Sequence, residues 1–227
     1  MSSAALQSAA VLQPPPYAAR VLFLGANGSG KSALAAQMLA SGYRWVVIDS
    51  KGDFPAVRPF HVVRSPDGWA WRWPHEHLLY RPAPEYNRGA WLDETLRRLF
   101  VRAQKEGRKK PFVVYVDEAL YLARTGHVQW LSALAVSGRS LGVGLWTASQ
   151  RPKWIPVEVR SEAWRTYVFY LQHAADEREV VADSKGLLTE EDMQAAAVDY
   201  SFYELKRGNA GRLEVRHFPP VRIQGGK

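Results

Sequence analysis

Three short runs of this sequence combine residue types that act on phosphate groups. The first, GANGSGKS, extends from Gly25 to Ser32 and fits the spacing GxxxxGK[ST] of a P-loop. It follows an apolar run typical of a strand and precedes a helical pattern, which is the context that this motif requires. Glycines let backbone N–H groups turn towards phosphate oxygens, and the start of the following helix adds partial positive charge. The alternative is a glycine-rich turn with a chance lysine.

This motif predicts a site for ATP and Mg²⁺. Lys31 would reach the two terminal phosphates, and Ser32 would be a ligand of Mg²⁺. The residues expected to bind the nucleotide are Gly25, Asn27, Gly28, Ser29, Gly30, Lys31, Ser32 and Ala33.

The second run, FVVYVDEA, places Asp117 and Glu118 directly after an apolar strand candidate. An aspartate at the end of a buried strand beside a P-loop would hold the Mg²⁺ hydration shell. Glu118 would then polarise the attacking water, which favours hydrolysis over phosphate transfer to another substrate. The alternative is a helix N-terminus, where the helix dipole favours acidic residues.

The third run, LWTASQRP, ends another strand candidate with Ser149 and Gln150. We expect this strand to lie between the P-loop strand and the acidic strand. Gln150 would then contact the terminal phosphate or the attacking water, with Ser149 as the second choice. The alternative is a polar turn residue before Pro152.

Strand and helix patterns alternate along the chain and would position these motifs. Strands are predicted at RVLFL, RWVVID, FHVVR, HLLYRP, FVVYVD, VGLWTAS and TYVFYL, and helices at KSALAAQMLAS, 87–106, 127–138, DEREVVADSKG and TEEDMQAAA. The last segment, YSFYELKRGNAGRLEVRHF, is typical of a β-hairpin. Because most strands are almost continuously apolar, they predict a mostly parallel sheet covered by helices on both faces.

Composition limits the possible functions. The chain has 227 residues, which favours one compact domain, and no cysteine, which excludes disulfides and cysteine metal sites. Its net charge of +8 favours a polyanionic partner, either nucleic acid or an anionic membrane surface. We find no apolar run long enough to span a membrane and no signal-peptide pattern, so we expect a cytoplasmic protein.

Taken in order, four motifs resemble the FtsK–HerA superfamily of DNA-pumping ATPases. They are GANGSGKS, VVIDSKGDF, VVYVDEA and SGRSLGVGLWTASQRP, and the resemblance covers residues 20 to 172. It implies a three-layer RecA-like P-loop ATPase fold over 19–227, after a flexible N-terminal arm over 1–18. It also implies ATP hydrolysis coupled to movement of double-stranded DNA. A compact motor without accessory domains is similar to the genome-packaging ATPases of tailless icosahedral viruses with an internal membrane.

The resemblance further implies a homo-oligomeric ring, expected to be a hexamer, in which an arginine from one subunit acts on the nucleotide of its neighbour. Arg139 matches the superfamily's arginine before the extra strand, and Arg160 is the other candidate. The alternatives for each are a surface arginine or a structural ion pair. A viral motor would have capsid-vertex or membrane-associated packaging proteins as partners, and would move from the host cytoplasm to the virion vertex.

Two groups of side chains could touch DNA. Arg98, Arg102, Lys105 and Lys109 recur on one face of the helix predicted over 87–106. They predict either a phosphate-binding track or a solvated face on which Glu94 pairs with Arg98. Three alternating tryptophans favour core packing or a subunit interface over base stacking, and the nearby His75 and His77 lack further ligands, so we expect no metal cluster. The tryptophans are Trp69, Trp71 and Trp73.

Three other functions share some of these features. A motor for conjugation or filamentous-phage assembly would carry every motif, usually with a membrane segment. A nucleotide or small-molecule kinase would carry a P-loop but would need an acceptor and a mobile arginine-bearing lid. A nucleotide-dependent scaffold would bind ATP without turnover, although Glu118 argues against this.

Overall fold

A computed structural model describes residues 12–55, 59–65, 77–86, 89–208 and 211–221. The strands are β1 (Arg20–Leu24), β2 (Trp45–Asp49), β3 (His61–Val63), β4 (His77–Tyr80), β5 (Phe112–Asp117), β6 (Val143–Ser149), β7 (Arg165–Val168), β8 (Phe202–Arg207) and β9 (Leu213–Phe218). The helices are α1 (Lys31–Leu39), α2 (Gly89–Arg102), α3 (Leu120–Arg124), α4 (Gln129–Ser137), α5 (Val157–Ser161), α6 (Ala174–Asp183) and α7 (Glu190–Asp199).

The strands form one nine-stranded sheet in the order β3-β4-β2-β5-β6-β1-β7-β8-β9. The pairs from β3 to β7 are parallel, whereas β7–β8 and β8–β9 are antiparallel. The predicted α/β class, the mostly parallel sheet and the C-terminal hairpin are therefore confirmed. Strand β6 pairs with both β1 and β5, so the extra strand lies where the sequence predicted it.

The alternation of side chains along each strand produces two apolar layers. On β1, Val21 and Phe23 belong to the layer that includes α1, whereas Leu22 and Leu24 belong to the layer that includes α2 and α4. Because both faces are covered, the central strands are buried along their whole length, as their continuous apolar sequences require.

Three helical elements differ from the sequence prediction. The helix predicted over 87–106 is regular only to Arg102 and continues as a π-helical turn over Ala103–Gly107. The five-residue helices α3 and α5 were not predicted, because such short segments carry no helical repeat of apolar residues. The capping box at the start of α7 is present, with Thr189 and Asp192 bonded reciprocally.

In the described part of the predicted N-terminal arm, residues 12–18, side chains and backbone contact the rest of the domain. The Tyr17 hydroxyl donates to Gly42 O at 2.7 Å, and Tyr43 donates to Pro15 O. A Cβ added at Gly144 would lie 2.1 Å from Tyr17 O, so the arm passes directly over β6. Leu12 and Tyr17 of the arm pack against the apolar layer beside α1.

Trp69, Trp71, Trp73 and His75 lie outside the described residues. Among the residues that are described, no helix is both long and apolar enough to cross a membrane.

Candidate nucleotide-binding site

The P-loop joins the carboxyl end of β1 to the start of α1. Gly28 and Gly30 have φ angles of 73° and 104°, which side chains rarely adopt. A Cβ on Gly25 would lie 2.6 Å from the Cβ of Phe169, so the loop can approach β7 only with glycine there. Asn27, Ser29 and Ala33 line the same cavity, and the predicted phosphate-binding residues thus share one loop.

Lys31 is buried within this loop. Its ammonium donates to Gly25 O at 2.8 Å and to Ala26 O at 2.7 Å. Burial lowers the pKa of Lys31 to about 8, although the carboxylate of Glu118 partly opposes this change. Both hydrogen-bond partners of the ammonium are neutral carbonyl oxygens. A bound phosphate would supply a negatively charged partner.

Ser32 and Asp117 meet at the predicted magnesium position. The Ser32 hydroxyl donates to Asp117 Oδ1 at 3.0 Å, and the buried Tyr115 hydroxyl donates to the same oxygen at 3.0 Å. Burial raises the pKa of Asp117, although these two hydrogen bonds lower it. A hydroxyl and a carboxylate at this spacing are the ligand types that Mg²⁺ takes beside a P-loop, so these residues fit the ion.

Asp49 and Asp53 lie close to Asp117, with one carboxylate oxygen of each within 4.8 Å of the others. Asp49 already accepts four hydrogen bonds, three from backbone N–H groups and one from Arg81 Nε at 2.6 Å. We therefore assign Asp49 to holding the loop after β2. Asp53 is exposed and lines the phosphate cavity.

Glu118 follows β5 in a left-handed backbone conformation, with a φ of 67°. Gln150 Nε2 donates to Glu118 Oε2 at 2.6 Å, and the Gln150 backbone N–H donates to Oε1 at 3.3 Å. Lys51 Nζ lies 3.1 Å from Oε2. A positive φ at a non-glycine residue is costly, and such conformations concentrate at functional sites.

Ser149, the second choice for the phosphate contact, is fully buried and accepts a hydrogen bond from the Arg151 backbone N–H at 3.0 Å. Arg151 in turn pairs with the buried Asp176 at 2.6 Å. These contacts fix the turn after β6 and leave Gln150 as the residue that reaches Glu118.

Two adjoining cavities meet at the P-loop. The first, of about 280 Å³, is lined by the P-loop together with Lys51, Asp53, Pro55 and Asp117. The second, of about 470 Å³, extends from Ala26–Ser29 to Tyr170, Gln172, Tyr200 and Ser201. Sequence reasoning missed Lys51 and the second cavity. The run IDSKGDF was the available signal for Lys51, whereas the tyrosines belong to no motif.

The two candidate arginines have different surroundings. Arg139 lies before β6, at the edge of the sheet opposite the P-loop, and is exposed with no carboxylate partner in the described residues. Arg20 donates to Ala135 O at 2.6 Å and to Val136 O at 3.1 Å. These two hydrogen bonds fix the end of α4, which lies just before Arg139. Arg160 pairs with Glu179 at 2.6 Å and with Asp183 at 2.7 Å. Its geometry matches the structural ion pair that the sequence left open.

The four basic residues of the predicted helix face lie on α2, on the π-helical turn and in the turn that follows it. Arg98 pairs with Glu94 at 3.0 Å, and Arg102 pairs with Glu106 at 3.0 Å. Lys105 and Lys109 are exposed and make no ion pair within the described part of the chain. Of the four candidates, Lys105 and Lys109 are thus the two without an ion pair among the described residues.

The chain is similar to known DNA-handling ATPases, although no protein-family model matches it. It is 27% identical over 107 residues to "DNA double-strand break repair helicase HerA" of Saccharolobus solfataricus. This match covers 45% of the chain and 21% of HerA, so the chain spans about a fifth of that relative's length.

Two solved structures share its fold. The genome-packaging NTPase B204 of Sulfolobus turreted icosahedral virus 2, in complex with ATP-gammaS, has a TM-score of 0.63 at 17% identity. That match covers 89% of this chain and 97% of B204. VirB4 of Thermoanaerobacter pseudethanolicus has a TM-score of 0.61 at 10% identity, with 90% of each chain covered. These similarities confirm the resemblance to FtsK–HerA-type P-loop ATPases that the motifs indicated.

Proposed function

We propose that this chain, which resembles HerA in sequence and B204 in fold, is an ATPase motor that moves double-stranded DNA and packages a viral genome. One observation carries the ATPase part of the proposal, namely that Gln150 holds Glu118 beside the P-loop cavity, at 2.6 Å. A carboxylate at this position is suited to accept a proton from water. A kinase transfers phosphate to another substrate and has less use for a water-activating base, so the contact favours hydrolysis.

Each P-loop residue would have a defined part in binding ATP. The backbone N–H groups between Gly25 and Ala33 would bind the phosphates, and Lys31 would add its charge. The cavity beside Tyr170 and Tyr200 would accept the base, since aromatic rings and small side chains suit a planar heterocycle. Mg²⁺, when bound by Ser32 and Asp117, neutralises charge on the phosphate oxygens.

A second subunit would complete this site. β6 has seven residues, so its two ends are roughly 20 Å apart. Arg139 at one end cannot reach the P-loop at the other end, but it could reach the P-loop of a neighbouring copy. We therefore assign Arg139 to the neighbour's transition state and Arg160 to the structure of its own subunit, in a ring of expected hexameric stoichiometry.

Double-stranded DNA is the proposed substrate of movement. The net charge of +8 supports a polyanionic partner, and a motor that follows a duplex binds its phosphate backbone rather than its sequence. The match to B204 along nearly its whole length supports the packaging role. The partners of this chain would then be capsid-vertex or membrane-associated packaging proteins. The chain would act first in the host cytoplasm and then at the virion vertex.

The decisive experiment measures ATP hydrolysis with and without duplex DNA, alongside the mass of the assembly in solution. We expect hydrolysis that depends on Mg²⁺, increases with duplex DNA and accompanies ring formation. Hydrolysis by rings without any response to duplex DNA would reject the DNA motor and retain the ATPase.

A further inference from the structure

The loop after β2 brings a second ammonium group into the phosphate cavity. Lys51 lines this cavity together with Lys31 and Ser32. Its Nζ lies 3.1 Å from Glu118 Oε2, and its side chain is 36% exposed whereas that of Glu118 is 9% exposed. Lys51 thus links the proposed catalytic carboxylate to the space that a terminal phosphate would fill.

The backbone that carries Lys51 is fixed. The buried Asp49 carboxylate accepts hydrogen bonds from the N–H groups of Gly52, Asp53 and Phe54 at 2.8 to 3.2 Å. Arg81 holds the same carboxylate at 2.6 Å. The Lys51 side chain is a long, flexible stem that lies between Glu118 and the cavity.

The Glu118 carboxylate accepts three hydrogen bonds in this arrangement. Its Oε2 accepts from both Lys51 and Gln150, and its Oε1 accepts from the Gln150 backbone N–H. A carboxylate has about four acceptor positions, so three donors leave little capacity to bind and orient a water molecule. This arrangement suits a resting state.

We infer that Lys51 is a positioning residue that holds Glu118 in the nucleotide-free chain and releases it when a terminal phosphate binds. The inference rests on the proposed ATPase function and adds a control of the same site. A phosphate carries more negative charge than a carboxylate and binds ammonium groups strongly. Lys31 and Lys51 also repel each other across the cavity, so a polyanion between them would be favourable to both. ADP lacks the terminal phosphate and would leave the contact in place.

Carbodiimide cross-linking tests this contact directly. The reagent activates the Glu118 carboxyl, and the Lys51 amine then displaces it. An amide forms between Nζ and Cδ, the amine loses a proton, and the reagent leaves as its urea. Peptide mass mapping detects a linked pair that is one water lighter than the two separate peptides.

We expect the Lys51–Glu118 cross-link in nucleotide-free protein and with ADP, and a yield at least about fivefold lower with ATPγS and Mg²⁺. Glu118→Gln should abolish it, whereas Lys110→Met, at an exposed lysine outside the site, should leave it unchanged. Equal yields with ADP and ATPγS, or no cross-link without nucleotide, would overturn the inference.

Kinetics separate this role from simple phosphate binding. Lys51→Met should lower kcat about 10²-fold, because the variant lacks the ammonium charge that would move with the terminal phosphate. The Kd for ADP should stay within about threefold. Lys51→Arg should restore part of the rate. A higher KM with unchanged kcat would make Lys51 only a phosphate-binding group. If the parent chain does not hydrolyse ATP, the proposed function fails, whatever the cross-link yields show.

Discussion

Glu118 and Gln150 are joined by a 2.6 Å hydrogen bond across the tips of two adjacent parallel strands. β5 ends one residue before Glu118, and β6 ends one residue before Gln150. The positive φ of Glu118 accompanies this contact and is an unusual conformation for a glutamate. Because backbone strain of this kind persists only where the surroundings enforce it, the contact points to a functional demand on Glu118.

The first prediction concerns turnover. Glu118→Gln keeps the size of the side chain but removes the proton acceptor, so ATP binding should be retained while kcat falls about 10²- to 10⁴-fold. Nucleotide affinity by calorimetry and phosphate release by a steady-state assay check the two effects. Glu158→Gln, at an exposed glutamate of α5, is the matched control. Hydrolysis by Glu118→Gln within about twofold of the parent rate would exclude Glu118 as the base.

The second prediction concerns the stability of the empty site. Burial lowers the pKa of Lys31 from 10.5 to about 8, so the folded chain binds its proton less tightly than the unfolded chain does. This disfavours folding by about 3 kcal/mol at pH values below 8, and the penalty disappears as the pH rises from 8 to 10.5. Lys31→Met should therefore stabilise the nucleotide-free protein at pH 7.

Urea unfolding of the parent and of Lys31→Met, at pH 7 and again near pH 10, measures this effect. The difference in free energy of unfolding should be large at pH 7 and small near pH 10. ATP should stabilise the parent but not the variant, because ligand binding to the folded state adds to stability. A Lys31→Met variant that is less stable than the parent at pH 7 would contradict the prediction.

Much of this site could be predicted from sequence because its residues follow strands that end at one edge of a sheet. A P-loop after β1 and Asp117 at the end of β5 come together whenever the strands are parallel and nearby, and Ser32 does contact Asp117. The Lys51–Glu118 contact depends instead on the loop that Asp49 and Arg81 fix. The run IDSKGDF places Lys51 in that loop but does not show that its side chain reaches Glu118.

The contacts of the N-terminal arm could not be predicted from sequence for the same reason. A proline-rich start without periodicity is typical of a loose end, yet residues 12–18 pack through contacts with distant parts of the chain. Tyr17 bonds Gly42, and Arg165 donates to Gln13 O at 2.5 Å. Tertiary contacts of this kind depend on the finished sheet, so they cannot be derived from the arm itself.

The third prediction separates the two arginines. If Arg139 acts on a neighbour's phosphates as proposed, Arg139→Ala should leave ATP binding and stability unchanged but lower kcat about 10³-fold or more. Arg160→Ala should instead lower the free energy of unfolding by about 1 kcal/mol, since it removes the ion pairs with Glu179 and Asp183. Thermal unfolding and steady-state hydrolysis, measured on both variants, give the comparison.

Mixed rings test whether Arg139 acts in trans. Glu118→Gln and Arg139→Ala subunits are each inactive alone, but a mixed interface can combine an intact Glu118 with an intact Arg139. Activity should therefore recover partly on mixing. No recovery at any ratio, with ring assembly preserved, would argue against an arginine supplied by the neighbour.

The fourth prediction concerns the DNA track. Lys105 and Lys109 are the exposed members of the basic face, so they are the members free to bind phosphate. Each phosphate contact contributes a slope of about −0.9 to the plot of log affinity against log salt concentration for duplex DNA. Charge reversal at Lys105 and Lys109 should therefore flatten the slope by about 1.8, while basal ATP hydrolysis survives because these residues lie outside the phosphate motifs.

Neutral substitutions suit Arg98 and Arg102 better, because charge reversal would place like charges beside Glu94 and Glu106. Reversal of the exposed Lys153 and Arg178 changes the net charge equally and serves as the control for long-range electrostatics.

An unchanged slope in the Lys105/Lys109 variant, with DNA still stimulating hydrolysis, would show that these residues form a solvated face and not a phosphate-binding track. The hairpin residues Lys206, Arg207 and Arg212 would then be the next candidates, since they form the other basic cluster that the sequence offers. If duplex DNA neither binds to the assembled parent protein at low salt nor stimulates its hydrolysis, the motor itself is rejected and the kinase alternative gains support.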